Sequence, residues 1–234
     1  MRKMKLIKQQ NTELSAILNP TLGVEAISTE NRKMPVCICV DSSYSMAEDS
    51  LLGMPKIEEA QRGVKNLISF MSSDSSLQNL ADVCVITFNG DGISDLTGGF
   101  INVKKAAKMD FSFETFGESP LFTAVDKAAD IVLSRCSGYV KDNISAERGW
   151  LILITDGRAD DYYCDRGLIS DRVRNKLNKN IKRVRLVCGC FGYDTEQLDK
   201  LTTPDNIKNM EEFREIYSYF RMLSQSMSVA SREL

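Results

Sequence analysis

Val36-Cys37-Ile38-Cys39-Val40 is an unbroken apolar run that stops on a carboxylate, Asp41. A run this short and continuous, bounded by turn-forming residues, predicts a strand buried on both faces, as inside a parallel sheet. Trp150-Leu151-Ile152-Leu153-Ile154 repeats the theme and runs into Thr155-Asp156-Gly157. Open α/β sheets bind ligands beyond the carboxyl ends of their strands, which is where both aspartates fall. The loop Asp41-x-Ser43-x-Ser45 then offers one anionic and two neutral oxygens within five residues. Hard oxygen donors with a single charge suit Mg²⁺ or Mn²⁺ better than zinc. Asp and Ser are equally the residues of turns and helix caps, so this loop alone leaves both readings open.

The rest of the chain alternates in the same way. Pro55 stands where the first turn of a helix tolerates proline, and Ile57, Ala60, Val64, Leu67, Ile68 and Met71 follow at helical spacing, predicting a helix over 56–72. Val83–Phe88 reads as a second buried strand closed by the turn Asn89-Gly90-Asp91-Gly92, with a shorter, antiparallel edge strand within 94–103. Ser119-Pro120 matches the usual start of a helix, whose buried stripe is Leu121, Val125, Ala128 and Val132. A helix over 166–179, a strand over 184–190, a short helix near 195–201 and a weak strand near 206–210 come next. The last helix, about 211–228, would bury Phe213, Ile216, Tyr217, Phe220, Leu223 and Met227. Strands and helices alternating at these lengths predict a doubly wound α/β fold: a mostly parallel sheet of about six strands with helices on both faces. Residues 1–30 read as an N-terminal arm and 31–234 as one domain.

Composition narrows the chemistry. A net charge of -2 gives no overall basic field for nucleic acid or anionic lipid. Histidine is absent, which removes Ser-His-Asp and Cys-His catalysis. Seven cysteines, an odd number, argue against a secreted disulfide framework. Cys37 and Cys39, like Cys188 and Cys190, are two apart on a strand and share a face, where they read as core fillers. The basic opening Met1-Arg2-Lys3-Met4-Lys5 is not followed by the apolar segment of a signal peptide. No run approaches the roughly 18 apolar residues of a membrane span. The expectation is a cytoplasmic protein.

Three loops would converge if these strands are adjacent. They carry Asp41, Ser43 and Ser45; Ser119; and Asp156. Here the sequence resembles the von Willebrand factor A (VWA) family and its metal-ion-dependent adhesion site (MIDAS), built from D-x-S-x-S, a Thr in a second loop and an Asp after a later strand. More closely it resembles the TerY/YegL-like bacterial branch associated with tellurium-resistance and stress gene clusters. The segments that carry the resemblance are Arg32-Lys33-Met34-Pro35-Val36, Gly117-Glu118-Ser119-Pro120-Leu121, Thr155-Asp156-Gly157-Arg158-Ala159-Asp160-Asp161 and Tyr219 to Ser228. Two positions depart from the pattern. Tyr44 replaces the usual Gly between the serines, putting a bulky ring at the rim, and Ser119 replaces the usual Thr.

The resemblance implies that Ser43, Ser45 and Ser119 bind Mg²⁺ or Mn²⁺ directly, with Asp41 and Asp156 acting directly or through water. A coordination position would remain for an Asp or Glu of a partner protein, with Tyr44, Glu118, Asp160 and Asp161 at the rim. Taken singly, Ser119 equally fits a helix cap, Asp156 a turn, and Asp160 with Asp161 a solvated loop. The implied function is metal-dependent protein–protein interaction, without catalysis, in a bacterial stress or tellurium-resistance-like system. Two alternatives stand beside it. One is a HAD-like phosphotransferase with Asp41 as nucleophile, although Ser43 occupies the place of its second Asp. The other is a metal-free scaffold of the same fold.

Overall fold

The computed structural model describes residues 31–164, 167–192, 195–210 and 216–230. The expected N-terminal arm, Phe213 and the side chains of Ile216 and Tyr217 lie outside the described residues. The first apolar run forms β1 (Arg32–Asp41), buried from Met34 onward. It pairs in parallel with β2 (Ala81–Asn89) on one side and with β6 (Gly149–Thr155) on the other. With β3 (Gly92–Asp95), β7 (Val184–Cys190) and β8 (Ile207–Asn209), the strand order is β3-β2-β1-β6-β7-β8. Only β3 is antiparallel along this path. Two-residue strands β4 (Ile101–Asn102) and β5 (Ser145–Ala146) pair with β2 and β1. Both Asp-terminated runs are therefore central and adjacent, as their lack of any polar position requires.

Helices α1 (Lys56–Ser73) and α6 (Ile216–Ala230) cover one face; α3 (Leu121–Lys141) and α5 (Leu168–Lys179) cover the other. The period of two in β1 divides its side chains between them. Val36, Ile38 and Val40 join the α1/α6 core, while Cys37 and Cys39 join the α3/α5 core with Leu151, Leu153, Cys188 and Cys190. The fold is thus the expected α/β sandwich of a mostly parallel sheet between helical layers. At Gly63 the bare Cα seats the ring of Phe220; a Cβ there would stand 2.0 Å from the ring. Among the described residues no helix is long and apolar enough to cross a membrane.

The differences from expectation lie at the edges. The edge strand starts earlier and is split, because Asp95 turns its carboxylate onto the backbone N–H groups of Thr97, Gly98 and Gly99 and ends the pairing. A short helix, α2 (Val103–Ala106), follows β4. The expected helix near 195–201 is a single tight turn, Leu198–Lys200. Helix α3 begins at Leu121, so Pro120 is its cap rather than its first residue.

Candidate metal centre

The register Val40↔Ile154 places the end of β1 beside the end of β6. Asp41, fully buried, is the hub there. One carboxylate oxygen accepts the backbone N–H of Ser43 at 2.9 Å. The other accepts the hydroxyls of Ser119 at 2.9 Å and Thr155 at 2.7 Å. The Ser43 and Ser45 hydroxyl oxygens are 3.2 Å apart, and Ser43 is itself buried. Burial pushes the Asp41 carboxyl up to about 6, against the opposing pull of the Ser43 N–H and the Ser43 and Thr155 hydroxyls; the charge of nearby Asp156 raises it further. Desolvation outweighs the hydrogen bonds, so the ionised form lacks positive charge at close range.

The loop bearing Ser119 is tied to the first loop through the backbone. Phe116 N–H donates to Ser42 O at 2.8 Å, Tyr44 N–H to Gly117 O at 3.0 Å, and Gly90 N–H to Phe116 O at 3.3 Å. Gly117 has φ +61°, and a Cβ there would stand 2.9 Å from the Gly90 Cα. Only glycine satisfies both demands.

This arrangement overturns the reading of Ser119 as a helix cap, since its hydroxyl goes to Asp41. The cap comes from elsewhere. Asp161 accepts the N–H groups of Phe122 at 3.3 Å and Thr123 at 2.8 Å, and Asp160 accepts that of Ser119 at 2.7 Å. Both carboxylates lie against the positive end of α3 rather than free in a solvated loop. Asp161 opens the short helix α4 (Asp161–Cys164).

Asp156 follows the last residue of β6, with a side chain only 2% exposed. It carries a partner the sequence did not announce. Lys56, the first residue of α1, brings its ammonium to 3.3 Å from Asp156 Oδ2, 3.1 Å from Glu48 Oε2 and 3.2 Å from the Ser45 carbonyl. Arg158 adds a longer contact at 3.8 Å to Asp156 and one at 3.3 Å to Glu48. Thus Asp41 meets only neutral donors, a backbone N–H and hydroxyls, while Asp156 meets a lysine.

At the rim, Tyr44 is 61% exposed and its ring lies 5.7 Å, centroid to centroid, from that of Phe116, itself 46% exposed. Glu118 is exposed beside them. Leu51 and Leu52 are exposed on the loop leading into α1. Phe116, Thr155 and Lys56 are the members that sequence reasoning missed.

The donor chemistry fits a hard divalent cation. Among the described residues no three His, Cys, Asp or Glu side chains come together to hold a metal. The side-chain oxygens gathered with Asp41 are the hydroxyls of Ser43, Ser45, Ser119 and Thr155, hard donors of the kind that magnesium or manganese takes. A buried carboxylate raised by desolvation beside two paired hydroxyls is the observation in favour.

The sheet order and helical layers are those of the von Willebrand factor A fold. No family model and no curated protein matches the sequence. Solved structures do match. The pilus adhesin SpaC from Lactobacillus rhamnosus GG superposes with TM-score 0.62 at 12% identity, over 84% of this chain and 31% of that one. The vWF domain of the type V pili tip protein Mfa5 from Porphyromonas gingivalis gives 0.62 at 8% identity, over 86% and 97%. Proximal thread matrix protein 1 from the mussel byssus gives 0.56 at 14% identity, over 86% and 48%; it is also solved with a zinc-occupied MIDAS motif. The chain spans less than half the length of SpaC and of the mussel protein.

Proposed function

We propose that this protein is a recognition module whose Asp41, Ser43, Ser45, Ser119 and Asp156 hold Mg²⁺ or Mn²⁺, and that a partner protein binds there through an Asp or Glu. The observation that carries the reading is Asp41, a fully buried carboxylate raised to about 6 by desolvation beside the Ser43–Ser45 hydroxyl pair. A bound divalent cation would supply the charge that makes an external carboxylate favourable where two already stand. The chain's own part is to orient and to exclude water. Ser119 and Thr155 fix the Asp41 carboxylate, the stitched loops hold the serines, and Lys56 with Arg158 offsets the charge of Asp156. Tyr44 and Phe116 offer an aromatic face to an apolar residue next to the partner's acid, with Glu118 setting a charge preference at the rim.

The zinc-bearing motif of the mussel protein supports the metal class. The resemblance to the TerY/YegL-like motif set is what favours a bacterial stress or tellurium-resistance-like setting, and the opening without a signal-peptide-like apolar segment is what favours a cytoplasmic seat. A phosphotransferase with Asp41 as nucleophile is the poorer reading. Both oxygens of that carboxylate are taken by hydrogen-bond donors, and the group is closed to solvent.

Titration with Mn²⁺ followed by electron paramagnetic resonance tests the metal. One ion per chain is expected, with affinity falling at least about tenfold in Ser43→Ala and in Ser45→Ala, roughly 1.4 kcal/mol. Acetate, as a carboxylate probe, should lower the water-proton relaxation enhancement of the bound ion by displacing solvent. Equal Mn²⁺ binding by parent and both serine variants would put the ion elsewhere and end the proposal.

A further inference from the structure

The opposite end of the sheet carries a charge distribution that the metal reading does not use. Residues 172–193 contain seven Lys or Arg and no Asp or Glu, in a chain whose net charge is -2. Part of this charge is spent on the fold. Arg172 and Lys176 pair with Asp126 of α3 at 3.0 and 2.6 Å, and Lys176 also with Asp130. Arg183 donates to the Leu133 carbonyl and the Ser137 hydroxyl.

Three other arginines are not spent in this way. Arg148 precedes β6, Arg185 follows the first residue of β7 and Arg174 is on α5; all three line one cleft of about 390 Å³. None of them forms an ion pair with any described residue. The nearest carboxylate in sequence, Glu147, is held by Arg32 at 2.5 Å. The Arg185 guanidinium lies over the buried Trp150 ring, 4.9 Å from its centroid, which fixes its plane. Arg148 is lowered from the ordinary arginine range, first by loss of water in the cleft wall and second by the charge of Arg185. Asn178, Thr202 and Asn206 add neutral polar groups around an apolar floor of Leu177, Val184 and Leu201.

Like charges gathered in a concavity repel unless an anion joins them. Guanidinium forks match tetrahedral oxyanions through paired N–H groups, and amide and hydroxyl donors complete such a set. We infer that the cleft between α5 and the amino ends of β6 and β7 is a binding site for a small phosphate-bearing anion. Its concave walls suit a compact ligand better than a polymer backbone. The site is independent of the metal centre, which lies at the carboxyl ends of the strands.

The test is isothermal titration of the full chain with inorganic pyrophosphate at physiological ionic strength, in EDTA so that no divalent ion takes part. Saturable binding of one pyrophosphate per chain is expected. Arg148→Gln and Arg174→Gln should each weaken it by about tenfold or more, as loss of a charge-assisted hydrogen bond predicts. Arg172→Gln, which breaks only the pair with Asp126, should leave binding within about twofold of the parent. Arg148 and Arg174 are the informative positions because both side chains are exposed, whereas Arg185 also packs on Trp150. Citrate at equal charge should bind more weakly. Absence of saturable binding, equal weakening by Arg172→Gln, or equal affinity for citrate would each overturn the inference.

Discussion

Lys56→Gln isolates the electrostatics of the proposed metal centre. The Lys56 ammonium and the Asp156 carboxylate are 3.3 Å apart, with side chains 11% and 2% exposed. At an effective dielectric of ~20, unit charges at that distance attract by about 5 kcal/mol. Removing one member of a buried pair typically costs ~3–5 kcal/mol because the other charge is left uncompensated. Here Arg158 remains, with its guanidinium at 3.8 Å and its backbone N–H at 3.2 Å from the Asp156 carboxylate. The expected loss is therefore smaller, about 2–3 kcal/mol in EDTA, or roughly 5–10 °C in Tm for a chain of this size.

The same substitution should strengthen divalent binding, because the ion no longer competes with an internal cation for Asp156. A tenfold gain needs only ~1.4 kcal/mol of the attraction to be released. At an Mn²⁺ concentration ten times the parent's Kd, the parent gains about 1.4 kcal/mol, while a variant binding tenfold tighter gains about 2.7. Differential scanning fluorimetry with and without Mn²⁺ reads both effects. A variant that melts with the parent in EDTA, and gains no more than the parent from Mn²⁺, would refute the assignment of Lys56 as the resident counter-charge.

Burial that raises Asp41 to about 6 makes the metal-free fold bind more protons than the unfolded chain between roughly pH 4 and 6, so this group's contribution falls as pH rises through that window. Denaturant titrations in EDTA at pH 4.5 and 7 should show this slope in the parent and a flatter one in Asp41→Asn; identical slopes would contradict it. Ser119→Thr should keep the Mn²⁺ response and Ser119→Ala should weaken it, since the hydroxyl serves Asp41 and not the helix end; equal responses would remove Ser119 from the site. Gly63→Ala should destabilise by about 1–3 kcal/mol through overpacking against Phe220, although alanine is the better helix former, and Phe220→Leu in that background should recover part of the loss. Full additivity of those two changes would show that the ring does not rest on Gly63.

The centre of the fold was legible because an unbroken apolar run bounded by turns has few places to go. The stretches ending at Asp41 and Thr155 had to be interior strands, and their adjacency followed from doubly wound connectivity. Ser119 was ambiguous because Ser-Pro before an apolar stripe is also the local signature of a helix start. What decides it is long-range: Gly90 and Gly117 bring two loops into backbone contact and aim the hydroxyl at Asp41. Thr155 went unread because its role depends on the register of β1 against β6. Lys56 could be read only as a helix-opening residue, since its ammonium meets a carboxylate 100 positions away. Asp160 and Asp161 read as a solvated loop because the N–H groups they accept lie just before and within the first turn of a helix some 40 residues earlier in the chain.

The cysteines on the α3/α5 side have a consequence of their own. Cys37, Cys39, Cys84, Cys136, Cys188 and Cys190 are all buried thiols outside any disulfide. Cys37 and Cys84 lie opposite each other in register across β1 and β2. Burial raises the Cys39 and Cys188 thiols well above the ordinary range, which withholds the reactive thiolate. In the native state these sulfurs react only through opening of the structure. Because they are spread over β1, β2, β7 and α3, the number modified in one event measures how much of the sheet came apart. Of these six, a frayed molecule is modified at Cys136 alone, near the end of its helix, and a molecule that has lost the central strands is modified at several at once. Mass spectrometry of an alkylated sample would therefore sort partial from global opening molecule by molecule, a record that the sequence writes in sulfur.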